Sequence, residues 1–76
     1  MTPIPEVRAD TFTEAADLIE DLPQWLRIIR TSRRMGLREV AEQTGLSTTA
    51  VSSAERGTHT QTHTTIQILR WLGSAA

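Results

Sequence analysis

The sequence contains no cysteine. Disulfides and thiolate zinc sites are therefore excluded, and the composition suits a reducing compartment, the cytoplasm. No apolar run approaches the roughly 20 residues that a membrane-spanning helix needs. The N-terminus lacks the apolar stretch of a signal peptide. The expectation is a soluble cytoplasmic domain without membrane contact. Strand alternation and internal repeats are missing too, which points to an all-α fold. No carboxylate pair, Ser/His/Asp set or glycine-rich phosphate loop stands out, so neither an enzyme nor a cofactor is expected. His59 and His63 lie four residues apart and would share a helix face, as two zinc ligands can. No third ligand is near in sequence, and Gln61 and the neighbouring threonines bind zinc poorly. Loop or capping roles are the better reading, without a metal. At 76 residues the chain is one domain that can bury one modest core.

Net charge is only −1, but it is segregated. Residues 1–22 carry Glu6, Asp10, Glu14, Asp17, Glu20 and Asp21 against Arg8 alone, a net of −5. Residues 23–76 carry Arg27, Arg30, Arg33, Arg34, Arg38, Arg56 and Arg70 against Glu39, Glu42 and Glu55, a net of +4. An acidic leader precedes a basic body, and such asymmetry points the basic part toward nucleic acid. The plainer reading of the same charges is a solvated surface.

Residues 1–10, "MTPIPEVRAD", have no period and read as a flexible tail. A domain over 11–76 follows. Thr11 with Glu14 makes a capping-box pattern, and Phe12, Ala15, Ala16, Ile19 and Leu22 then recur at helical spacing. Pro23 ends that helix and suits the start of the next. In "PQWLRIIRTSRR", Leu26 and Ile29 form one stripe, while Trp25 and Ile28 widen it to a second apolar face. "LREVAEQTG" is a short helix with Leu37, Val40, Ala41 and Thr44 inward, and Gly45 follows where a positive φ is needed. Ser47 is a good N-cap for "TTAVSSAER", which Gly57 ends. "THTQTHT" reads as a loop. "TIQILRWLG" is the last helix, with Ile66, Ile68, Leu69 and Leu72 available for burial and Gly73 closing it.

Residues 37–56 form a unit. Two short helices that cross steeply need a small residue at the approach, a left-handed residue in the turn and an inward apolar lock on the second helix. Ala41, Gly45 and Val51 supply these in order, with Ala54 one turn on. Together they define a helix-turn-helix with its recognition helix over 48–56.

The stretch "LRIIRTSRRMGLREVAEQTGLSTTAVSSAERG", residues 26–57, resembles the Cro/cI-type repressors of phages and bacteria, the XRE family, without a gap. The matching positions include Arg30, Glu39, Val40, Ala41, Glu42, Gly45, Leu46, Ser47, Val51, Ser52 and the run Glu55, Arg56, Gly57. The match covers a little under half the chain, and "TIQILRWLG" resembles the helix that follows in the family. The resemblance implies a lambda-repressor-like bundle of about five short helices, here with an extra N-terminal helix. It implies binding to double-stranded DNA. It also implies that Arg30 pairs with Glu55 across the core; the alternative is two unrelated surface charges.

With Val51 and Ala54 inward, helical spacing turns Thr49, Ser52, Ser53 and Arg56 outward, with Thr48 at the edge. In this motif the second helix enters the major groove, and its N-terminal half meets base edges. Short side chains let the backbone approach, and hydroxyls can donate or accept. Thr48, Thr49 and Ser52 are the leading candidates for base readout, with Ser53 beside them. Arg56 suits a base or a phosphate. Arg33, Arg34 and Arg38 flank the start of the first helix of the motif and suit phosphates, as do Thr58, His59 and Thr60 after "ERG". The alternative is a solvated helix with no partner.

Two departures from the family matter. Leu37 stands where the family often has a Gln that bridges phosphate and recognition helix. Threonine and histidine follow "ERG" where basic residues are common. About 3 to 5 phosphates would then be neutralised per protomer, a shallow salt slope. A weak monomer implies a homodimer. Many relatives dimerise through a further C-terminal helix, but Ala76 comes too early for one. The acidic N-terminal helix would take that place, or Trp25 or Trp71 would anchor the dimer. The function expected is a Cro-like repressor of a phage or mobile element. The alternative is an interaction module, an antitoxin or anti-repressor, that contacts a protein partner through Phe12 and Ile19. A third idea is that the acidic leader folds against the basic body and competes with DNA.

Overall fold

Five helices follow one another in the computed structural model, which describes residues 8–58 and 60–74. They are α1 (Ala9–Glu20), α2 (Leu22–Ser32), α3 (Leu37–Thr44), α4 (Thr48–Arg56) and α5 (Thr62–Ser74). No strand occurs among the described residues. The fold is all-α, and no described helix is long and apolar enough to cross a membrane.

The core is assembled from α2 to α5. Leu22 and Leu26 come from α2, Val40 and Ala41 from α3, Val51 and Ala54 from α4, and Ile68 and Trp71 from α5. Leu26, Val40, Val51 and Ile68 are fully buried. Each contributes roughly 1.5–3 kcal/mol by leaving water. Two buried threonines complete this interior, Thr44 and Thr64. The Thr44 hydroxyl donates to the Val40 carbonyl at 2.8 Å, so its burial strands no polar atom. Ile29, Met35, Leu37, Leu46, Leu69 and Leu72 pack around the edge, half-buried.

Helix α1 is different in kind. None of its residues is buried, and Phe12, Leu18 and Ile19 are about half exposed or more. It begins at Ala9, so the boundary drawn after residue 10 moves back into the helix. Arg8 is the N-cap and gives no side-chain cap, and Thr11 and Glu14 lie inside the helix rather than boxing its start. Ala9 and Asp10 account for the shift: alanine has the best helix propensity, and an acid in the first turn meets the positive end of the helix dipole.

Helix α5 also starts early, at Thr62 rather than Thr65, because Thr64 is drawn into the core. It runs through Gly73 to Ser74. Of the residues expected to bury here, Ile68 does so fully and Leu69 and Leu72 in part, but Ile66 stays 42% exposed. Trp71 takes its place. Its indole N–H donates to the Gln43 side-chain oxygen at 2.7 Å, which lets a polar-tipped ring enter the interior.

Candidate nucleic-acid interface

The turn between α3 and α4 is built from three adjacent signals. Gly45 has φ +75°, and its N–H closes α3 on the Ala41 carbonyl. Leu46 N–H reaches the same carbonyl at 3.1 Å. Ser47 then caps α4, its hydroxyl accepting from Ala50 N–H at 3.0 Å. Val51 and Ala54 lock α4 onto the core, and Gly57 at φ +69° ends it. The result is two short helices joined by Gly45, Leu46 and Ser47, with Ala41 buried at the approach.

An ion pair fixes the far end of α4. Arg30 donates through Nε and Nη2 to the two carboxylate oxygens of Glu55, the second bond at 3.0 Å. Its Nη1 donates to the Met35 carbonyl at 3.0 Å. One guanidinium thus ties α2, the α2–α3 turn and α4 together. The hydrogen bond to Glu55 raises the Arg30 pKa above its ordinary range, against desolvation and helped by direct attraction. Arg30 is engaged inside the bundle and is not a free cation.

Around this frame the outward residues of α4 fall as follows. Thr48, Thr49 and Arg56 are exposed, while Ser52 and Ser53 are half-buried. Ser53 is less available than Thr49: its hydroxyl accepts from Arg56 at 3.4 Å, and its carbonyl accepts from the Thr58 hydroxyl at 3.1 Å. Thr58 thereby finishes α4. Beside the helix, Ser47, Thr49, Ala50, Ser53, Thr60, Gln61 and Thr64 line an open cleft of hydroxyls and one carboxamide. Gln61 was not singled out from the sequence. The early start of α5 brings it to the cleft, just before the first helical residue.

The arginines divide. Arg34 and Arg38 are exposed, at the α2–α3 turn and in the first turn of α3. Arg33 is also exposed, but its guanidinium lies 5.9 Å from the centroid of the Trp71 ring, a cation–π distance that holds it toward α5. Leu37 packs against the core edge and contributes nothing polar to the surface. His59 lies outside the described residues, and His63 is exposed on α5. Thr48 and Thr49 are not covered by α1, and among the described residues no acid of α1 pairs with an arginine of the bundle. No family model matches the chain, and neither a curated protein nor a solved structure is matched by it.

Proposed function

We propose that the chain binds double-stranded DNA as a small transcriptional regulator of the Cro type, with α4 in the major groove. The observation that carries this reading is the outer surface of α4. Thr48 and Thr49 stand in solvent at its N-terminal end, next to a cleft lined by further hydroxyls. Small hydroxyl side chains allow close backbone approach and pair with base-edge donors and acceptors, while threonine methyls suit thymine. A reading helix must also be held rigidly, and α4 is locked by Val51, Ala54 and the Glu55–Arg30 pair. Arg34, Arg38 and Arg56 supply exposed cations for phosphates, and the N-terminus of α3 adds backbone donors. At that end the Glu39 carboxylate already accepts from the Gly36 N–H at 3.4 Å, which leaves the N–H groups after Gly36 as the donors.

Thr48, Thr49 and Ser52 read bases in this proposal, with Ser53 and Arg56 beside them. Cytoplasmic location and repression of a phage or mobile element belong to the same reading. Selection from a random duplex pool tests it. The expected outcome is a short enriched site, and a Thr49→Ala, Ser52→Ala double variant that enriches a broader set. Identical sites at unchanged affinity would remove the readout assignment, and absence of any enrichment would remove DNA binding itself.

A second reading rests on α1. Its bare Phe12 and Ile19 suit a protein contact and would serve an interaction module such as an antitoxin or anti-repressor. Loss of partner capture with intact DNA affinity, on replacing Phe12 by Asp, would favour it.

A further inference from the structure

Helices α1 and α2 follow each other with one residue between them. That residue, Asp21, has φ −86° and ψ −3°, near the helical region. Asp21 N–H closes α1 on the Asp17 carbonyl at 3.0 Å and Trp25 N–H opens α2 on the Asp21 carbonyl at 3.1 Å, while Pro23 has no N–H to carry the ladder across the junction. The molecule is 42 Å long but only 23 and 22 Å across. Helix α1, 12 residues and about 18 Å long, contributes to that length. None of its residues is buried and it meets chiefly α2, so α1 is an arm at the edge of the bundle.

The apolar stripe runs the whole way. Phe12, Ala15, Ile19, Leu22, Leu26 and Ile29 recur at alternating spacings of three and four, the pattern of a single seam. Leu22 and Leu26 are buried in the bundle, and Ile29 packs at its edge. Phe12 and Ala15 are the same seam left bare, and Ile19, still 48% exposed, stands at the rim of a cleft with Pro23, Ala54 and Thr65. The bundle has bare apolar residues of its own: Trp25 and Ile28 on α2, and Ile66 on α5, on two helices that pack together. Charge matches as well. The arm carries Asp10, Glu14, Asp17 and Glu20 and no basic residue, whereas α2 and α5 carry the exposed Arg27 and Arg70 and no acid.

From these matched surfaces we infer that the arm docks on a second copy of this chain: α1 of each protomer lays its Phe12–Ile19 stripe on the partner's α2–α5 surface, and the exchange is reciprocal. Its own bundle buries none of the α1 residues. A partner related by a two-fold axis can cover them, and each contact is then made twice. Like charge argues against the simpler pairing of arm with arm, which would bring two acidic helices together. Stable dimers bury roughly 1,200–2,000 Å², and duplication of the arm contact approaches that class where one arm alone would not.

The test uses the whole chain without DNA, so its outcome is separate from that of the DNA-binding proposal. Light scattering over a dilution series should give a species of about 17 kDa, twice the 8.5 kDa of one chain, that dissociates on dilution. Phe12→Asp (arm) and Ile66→Asp (dock) should each weaken the dimer by more than about tenfold while leaving helical circular dichroism unchanged, because both side chains are exposed. Mixing the two variants should give a heterodimer tighter than either variant's homodimer but weaker than the wild type, since one intact arm then meets one intact dock. Arg70→Glu should weaken the wild-type dimer, with high salt acting in the same direction. A chain that stays monomeric at every concentration overturns the inference. So does an Ile66→Asp variant that dimerises as well as the wild type, which would mean that arms pair with arms.

Discussion

Helices α1 and α4 dispose of their faces in opposite ways. In α4 the buried apolar residues are small, Val51 and Ala54, while the outward side chains other than Arg56 are short and polar. In α1 the apolar residues are large, Phe12, Leu18 and Ile19, and none is buried, while the polar side chains are all acids or threonines. Small buried residues let a helix sit close to its neighbours, so α4 is rigid and presents its polar side. Large bare residues are costly to leave in water, so α1 has an unfilled contact and presents its apolar side. One molecule therefore presents two exposed surfaces of different chemistry, and each is legible from what its helix leaves in solvent.

The sharpest way to break that comparison is to truncate the seam at two positions seven residues apart. Leu26→Ala should cost about 3 kcal/mol, since it opens a cavity at a fully buried site. That is a large part of the stability of a domain this size. Ile19→Ala, at the equivalent seam position, should cost less than about 0.5 kcal/mol when measured on the dilute monomer. Urea melts of both variants decide it. Equal losses would mean that α1 packs within its own chain, and the distinction between arm and bundle would fail.

A smaller effect tests how α4 is held. The Arg30 and Glu55 side chains are 18% and 11% exposed, so their pair is well sheltered from solvent. A double-mutant cycle on Arg30→Ala and Glu55→Gln should return a coupling of about 2 kcal/mol. The acids of α1 lie in open water, and Glu14→Gln should change stability by less than about 0.5 kcal/mol. The sign of any pH dependence follows from the raised Arg30 pKa. A cation whose folded pKa exceeds its unfolded value contributes fully below the unfolded value and is lost only as pH rises through the folded one. Both lie far into alkali, so the Arg30 contribution should be flat from about pH 6 to 9. A difference between wild type and Arg30→Ala that shrinks across that window would contradict the assignment.

The helix-turn-helix core could be read from the sequence because its signals are local. Gly45, Ser47 and Gly57 mark chain geometry by residue type, and Val51 sets the inward face for the residues around it. The ends of α1 and α5 were harder. Thr11 with Glu14 looks like a start, yet Ala9 and Asp10 are good enough helix residues to begin earlier. Threonines 62, 64 and 65 look like loop, since β-branched residues are weak helix formers, but burial of Thr64 overrides propensity. Trp71 was recoverable by periodicity: with Ile68 inward, residues three and four away, Trp71 and Thr64, share its face, and Ile66 does not. The bareness of α1 was not recoverable. Periodicity defines an apolar face, but whether the same chain covers it depends on the path through Asp21.

The smallest effects separate the two turns that frame α3. Both need a left-handed residue. The α3–α4 turn uses Gly45 at φ +75°, and the α2–α3 turn uses Arg34 at φ +57°. A side chain in that region strains the backbone by roughly 1–2 kcal/mol, and glycine relieves it. Gly45→Ala should therefore destabilise by about 1 kcal/mol. Arg34→Gly should stabilise by about 0.5–1 kcal/mol, the strain relief being partly offset by the greater freedom of glycine in the unfolded chain. A strained arginine where glycine would be easier points to a use for its guanidinium, and in the proposed complex that use is a phosphate. The stabilised Arg34→Gly variant should then bind DNA more weakly at every sequence, with a salt slope shallower by about one. Higher stability with an unchanged salt slope would leave Arg34 in the turn but remove it from the interface. Unchanged stability would mean that the turn already accommodates arginine, and the contrast with Gly45 would dissolve.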